Sequence, residues 1–186
     1  MSIPDVFVHS SAFVESGAQI GAGTSVWHHA HVRSGSRVGA GCNLGKNVYV
    51  DAGAVVGNRV KIQNNVSVFN GVHIGDDVFV GPSATFTNDR VPRAFNEEWH
   101  VTETWVGDGA SIGANATIVC GHHIGEFSMV GAGAVVTRDV EPHELVVGSP
   151  ARRLGWVCNC GVLVTRDERP DGAVRCAECR ETERQQ

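Results

Sequence analysis

The 186-residue sequence has no basic cluster: its 15 Lys and Arg are scattered among 20 acidic residues, for a formal net charge of −5. That scatter argues against nucleic acid as the main partner. No stretch approaches the roughly 18 apolar residues that a membrane-spanning helix needs. The opening segment, MSIPDVFVHSS, lacks the basic and apolar regions of a secretory leader, so the chain is expected to be soluble and cytoplasmic, with no membrane partner. The dominant spacing is neither the two-residue period of a half-buried strand nor the 3.6-residue period of a helix. Yet 42% of the residues are hydrophobic, ample for a core and too many for a disordered chain.

What is present is a period of six. Aliphatic residues stand at Val8, Val14, Ile20, Val26, Val32, Val38, Leu44, Val50, Val56, Ile62, Val68, Ile74 and Val80 without a miss, and again at Val106, Ile112, Ile118, Ile124, Val130 and Val136. Four residues after most of them comes a small or β-branched side chain, as at Ala12, Thr24, Ser36, Cys42, Ala110 and Ala134. This spacing predicts an all-β fold, a parallel β-helix of hexapeptide repeats, each short strand turning one aliphatic side chain inward. Three hexads make one triangular coil, and β-branched residues suit its flat faces. Gly21, Gly39, Gly57, Gly75, Gly113 and Gly131 are expected at corners that need a permissive backbone.

The two blocks are out of phase, because the step from Val80 to Val106 exceeds a multiple of six by two. An insertion is therefore expected at 86–105, FTNDRVPRAFNEEWHVTETW, where charged and aromatic residues replace Gly and Val. The expected organisation is a β-helix over 1–157 carrying that loop, a four-cysteine ribbon over 158–179 and a flexible tail over 180–186. In the ribbon Cys158 and Cys160 are separated by one residue, Cys176 and Cys179 by two, and the pairs by 15. In a cytoplasmic chain such pairs predict a closed structural zinc site with four thiolate ligands, the other reading being unmetallated thiols. Cys42 and Cys120 read as small packing residues.

The segment VVGSPARRLG, Val146–Gly155, resembles the stretch with which hexapeptide acetyltransferases leave their prism. IQNNVSVFNGV, VGPSATFTNDRVPRAF, SIGANATIVCG and GAGAVVTRDV are similar to a narrower group, the nucleotide-sugar 3-N-acetyltransferases. Members of that group act on UDP-2-acetamido-3-amino-2,3-dideoxy-glucuronate, and relatives on dTDP-3-amino-3,6-dideoxyhexoses. The resemblance spans most of residues 8–156. It implies a left-handed coil, a homotrimer, acetyl-coenzyme A as donor, and transfer to the 3-amino group of a nucleotide-linked sugar.

Acetyl transfer from a thioester to an amine needs chiefly alignment and a donor to the developing oxyanion. Asn88 in the TND stretch is the leading active-site residue, its side-chain oxygen accepting a hydrogen bond from the sugar amine. Asp89 beside it and His31, in the stretch VWHHAH that resembles the family's WH-x-x-H, complete the catalytic set. The other readings are a turn capped by Asn88 and Asp89, and a histidine corner packed on a neighbouring subunit. The resemblance places Ala116, Gly133 and Ala134 along the coenzyme A groove and Arg138, Arg152 and Arg153 at its phosphates, for which arginine's fork is suited. Gln63, Asn64 and Asn65, with Arg90 and Arg93 of the loop, are candidates for the nucleotide-sugar. The three amides read equally well as a ladder that accepts left-handed backbone angles. His122, at an inward position, is either a base or a satisfied core histidine. Rival functions for such a prism are a sugar O-acetyltransferase, which needs a histidine base, a γ-class carbonic anhydrase, and a non-catalytic scaffold. The carbonic anhydrase pattern needs two histidines five positions apart, and no two of the nine here have that spacing.

Overall fold

The computed structural model describes residues 5–96, 98 and 100–184. Hexad after hexad, two residues form a strand and the next four turn a corner. Each strand pairs in parallel with the one three hexads further on, Phe7 with Ser25 and Ser25 with Asn43, so that three hexads close one coil as the spacing predicts. Three sheets wall the prism. The first runs from β1 (Phe7–Val8) to β23 (Leu163–Thr165) in ten strands, the second from β2 (Phe13–Val14) to β20 (Val135–Val136) in seven, and the third from β3 (Gln19–Ile20) to β18 (His123–Ile124) in six. Among the described residues no helix is long and apolar enough to cross a membrane.

The aliphatic column is the core. Val26, Val32, Leu44, Val50, Ile62, Val68 and Val80 are fully buried, each contributing roughly 1.5–3 kcal/mol of hydrophobic stabilisation. The small residues between them are buried as well, and Thr24 is fully satisfied there: its hydroxyl donates to the Gly39 carbonyl and accepts from the Cys42 amide. The expectation about glycine needs correction. Gly21, Gly39, Gly57, Gly75, Gly113 and Gly131 do not adopt positive φ; the residue two further on does, as at Gly23 (73°), Gly41 (67°) and Arg59 (55°). Gly39 and its equivalents are required for space, because a Cβ on Gly39 would stand 2.5 Å from the carbonyl oxygen of Gly57 in the next coil.

The insertion is real and its edges are sharper than the sequence suggested. Phe86 ends β14 (Thr85–Phe86) as a buried core residue, and Trp105 belongs to β15 (Thr104–Val106). His73 pairs with Val55 on one side and, across the loop, with Trp105 on the other. Equivalent contacts between neighbouring coils therefore lengthen from a step of 18, as between Asn58 and Asp76, to one of 32, between Asp76 and Asp108. The excess is two hexads and two residues, which is the phase shift between the blocks. At the far end Leu145 of β21 (Glu144–Val147) pairs with Met129 two residues short of a full coil, and the chain then reverses into antiparallel β22 (Arg152–Val157) and β23. The tail ends in α1 (Ala177–Arg184). Residues 180–184, expected to be a flexible tail, continue that helix, while Gln185 and Gln186 lie outside the described residues.

Candidate functional site

The loop leaves the prism at the corner that follows the second sheet and returns to it through a narrow neck. The Thr102 amide donates to the Asn88 carbonyl at 2.9 Å, and the Cys120 amide of the next coil donates to the Thr87 hydroxyl. Asn88 is half-buried, and its Nδ2 donates to the Asn70 carbonyl one coil below at 3.3 Å. A carbonyl only accepts, so this contact engages Nδ2 and leaves Oδ1 as the amide's remaining acceptor. Among the described residues no donor reaches that oxygen. Asn88, Asp89, Arg93 and Asn96 line one open hollow of about 260 Å³. Arg90 lines a second beside it with Asp89, His100 and Thr102. The loop thus brings four of the predicted residues together. Asp89 has a local task too, since its carboxylate caps the turn by accepting from the Val91 amide at 2.8 Å.

His31 is not part of that cluster. It lies on the outer face of the second sheet three strands before Thr85, about 14 Å along the axis at the usual strand spacing. Its Nε2 is 2.8 Å from the Glu15 carboxylate, within a network in which Arg33 meets Asp51 at 3.0 Å and Tyr49 donates to Asp51 at 2.9 Å. The Ser34 amide, then His31, hold Glu15 below the usual carboxylate range. The sequence signal for this network was recurrence at 18: Glu15, Arg33 and Asp51 occupy one position in successive coils. One coil beyond the loop's root is His122, which follows Gly121, the residue that Arg90 and Thr102 approach. Its Nδ1 stands 3.4 Å from Asp139, whose carboxyl is kept low first by the His123 amide and then by His122.

Two of the coenzyme positions need correction. Ala116 and Ala134 are fully buried in the core, because they occupy the small inward position of their hexads, and their side chains face no groove. Gly133 is exposed at the corner, with Ala132 exposed and Ala114 half-exposed beside it, so the small ridge consists of the residues just before the inward ones. Arg138 is likewise engaged elsewhere: its guanidinium grips the buried carboxylate of Glu144 at 2.6 and 3.3 Å. Arg152 and Arg153, at the start of β22, are exposed, and Arg153 lies over the Trp156 ring at 5.3 Å. For the amides, the ladder is what the structure contains: Asn47 donates to Asn65 at 2.9 Å and the Lys46 amide to Asn64 at 2.8 Å. Gln63 and Asn64 also line a shallow hollow with Trp27, His28 and Lys46.

The four tail cysteines come together. Sγ atoms of Cys158, Cys160, Cys176 and Cys179 all lie within 4.8 Å of one another, a donor set able to hold a metal ion.

With this geometry the relatives can be placed. A model described as the hexapeptide repeat of succinyl-transferase matches residues 36–70 and 104–138, the two sides of the loop. A hexapeptide-repeat-containing acetyltransferase from Vibrio cholerae O1 biovar eltor, solved with acetyl coenzyme A, is 30% identical over 61% of this chain and 69% of that one, with a TM-score of 0.52. The chain belongs to the hexapeptide-repeat acetyltransferase family. A GDP-perosamine N-acetyltransferase from Caulobacter crescentus, solved with coenzyme A and GDP-perosamine, shares the fold at 23% identity and a TM-score of 0.55. That match covers 82% of this chain, which spans only 58% of the Caulobacter chain. A maltose O-acetyltransferase from Clostridium difficile 630 is 25% identical over 61% of this chain and 68% of its own, with a TM-score of 0.51. No curated protein sequence matches the chain.

Proposed function

We propose that the protein transfers acetyl from acetyl-coenzyme A to the 3-amino group of a nucleotide-linked amino sugar, and that it works as a homotrimer. The observation that carries this reading is the Asn88 amide at the root of the loop, whose Nδ2 is engaged by the Asn70 carbonyl and whose Oδ1 takes no donor among the described residues. An acceptor there holds one N–H of an amine and leaves the nitrogen lone pair free. The bound donor supplies a thioester whose C–S bond breaks as the C–N bond forms, and its thiolate can take the amine proton. Asn88 does not remove a proton; it orients the nucleophile, which suits an amine and does little for a hydroxyl. The exposed Gly133 ridge, Arg152 and Arg153 are the groups left to meet pantetheine and phosphate. In the loop Val91 is 63% and Phe95 83% exposed, apolar surface that a second copy of the chain would cover.

The fold relatives include both a nucleotide-sugar N-acetyltransferase and an O-acetyltransferase, so the acceptor atom is the point to test. The pairing of His122 with Asp139 favours the O-acetyl reading, since that arrangement could activate a hydroxyl. A panel of matched 3-amino and 3-hydroxy nucleotide sugars decides between them. Transfer confined to the amines is expected, and equal transfer to the hydroxy sugars overturns the proposal. Light scattering is expected to give three times the 19.7 kDa chain mass, and a monomer that is fully active rejects the trimer.

A further inference from the structure

Residues beyond Val157 have almost no core of their own. Among the described ones only Cys158, Val174 and Cys176 are buried, and Val162 and Leu163 are exposed. A segment that buries so little does not hold a shape by hydrophobic packing alone and needs a cross-link or a metal. Yet it is ordered against the prism. The Val157 amide donates to the His143 carbonyl at 2.8 Å, the Trp156 indole donates to the Asp167 carbonyl at 3.2 Å, and the guanidinium groups of Arg153 and Arg169 both lie over the buried Trp156 ring.

We propose that Cys158, Cys160, Cys176 and Cys179 bind one Zn²⁺ in a closed tetrahedral site, and that this ion fixes the hairpin and helix that cover the last coil. The Sγ atoms of Cys160 and Cys176 are 3.6 Å apart, far beyond a disulfide. Zn–S bonds of about 2.3 Å in a tetrahedron put sulfurs about 3.8 Å apart, so the pair already has the span of one edge. Two ligands come from a tight knuckle closed by the Gly161 amide on the Cys158 carbonyl, with the Cys158 amide on the Val162 carbonyl. This turn takes up the one-residue spacing between Cys158 and Cys160. The other two sit at the start of α1, where the Arg180 amide caps onto the Cys176 carbonyl and Cys179 follows within the first turn. Four soft donors in a tetrahedron select zinc over magnesium or calcium. All four positions are filled by protein, so the ion is structural.

The consequence lies at the end of the prism. β22 precedes the first cysteine and already pairs with β21, so it is β23, inside the tail, that covers the edge β22 would otherwise leave open. Metal analysis of the full chain is expected to give one zinc per chain, and Cys179→Ser is expected to lose most of it. Removing the ion with a chelator is expected to lower the melting temperature by roughly 5 °C or more and to change the fluorescence of the tryptophans, with zinc but not magnesium restoring both. Because a cysteine variant can simply misfold, the metal-free wild-type chain is also titrated with Co²⁺, which is expected to give one equivalent of thiolate-to-cobalt charge-transfer absorption. A chain that carries iron instead of zinc, a Cys179→Ser protein that keeps its full zinc, or a metal-free chain whose melting temperature ignores zinc would each overturn the proposal.

Discussion

Asn88 and Arg138 show how far a residue's neighbours decide its role. Asn88 was legible in the sequence because it opens the one break in the repeat, but the direction of its amide depends on the Asn70 carbonyl, which only the stacking of coils supplies. Asn88→Ala removes the positioning acceptor and leaves the fold, so turnover is expected to fall roughly 10²-fold with a smaller change in KM for the amino sugar. Steady-state kinetics on the variant with unchanged turnover would reject the role. Arg138 reads as a phosphate ligand in the sequence, and the structure gives it Glu144 instead, a carboxylate 2% exposed. Arg138→Ala would strand that buried charge. Urea unfolding is expected to show a loss of about 2 kcal/mol, below the range for a fully buried pair because Arg138 itself is 41% exposed. A variant of unchanged stability that binds coenzyme A more weakly would instead restore the phosphate reading. Ala116 and Ala134 are fully buried because a hexad places its small residue inward, while Ala114, Ala132 and Gly133 just before them are partly or fully exposed.

The loop is an element that can be removed cleanly, since its length and register are both known. The two hexads and two residues that it adds account for the phase shift between the blocks, and removing them restores the pairing step of the neighbouring coils. Joining Asn88 to residue 103 by excising 89–102 sets Thr104 at the small inward position and Val106 at the aliphatic one, both already buried. Position 103 then falls on the corner that takes positive φ, so Glu103→Gly should accompany the excision. The shortened chain is expected to fold with its melting temperature within roughly 5 °C of the parent, because the core column is intact. Its transferase activity is expected to vanish. A shortened protein that still acetylates amino sugars would show the loop to be a tolerated insertion, the other reading that the sequence allowed. The existence of the insertion followed from arithmetic on valine positions. Its neck did not, because Thr102 on Asn88 and Cys120 on Thr87 are contacts between segments that no local pattern relates.

At the scale of the whole molecule the repeat determines what the sequence reveals. A period of six sets every inward side chain, so the core was readable nearly residue by residue, whereas the outer faces depend on which residues recur one coil apart and on what covers the ends. Among the described residues nothing caps the first coil, and Val8 is 43% exposed at an inward position, while the last coil is closed by the cysteine-bearing tail. Between them, carboxylates staple one coil to the next. Asp76 accepts from the Asn58 amide and side chain of the coil below, Asp77 pairs with Arg59, Glu15 with Ser34 and His31, and Asp139 with the His123 amide. All four carboxyls are held below their usual range, led respectively by the Asn58 amide, Arg59, the Ser34 amide and the His123 amide. A carboxylate with a lowered folded pKa binds its proton more readily in the unfolded chain, so its contribution is complete above the ordinary value of about 4 and is lost as pH falls through the folded one. The melting temperature is therefore expected to be insensitive to these groups from pH 7 to about 5 and to fall below about 4, with the fall blunted by salt because the staples are exposed. Since each staple spans two coils, Asp76→Asn with Asp77→Asn should lower the melting temperature at pH 7 and flatten the acid limb together. A double variant as stable as the parent at pH 7, or a parent whose melting temperature holds to pH 3, would mean that the column of valines alone keeps the coils in register.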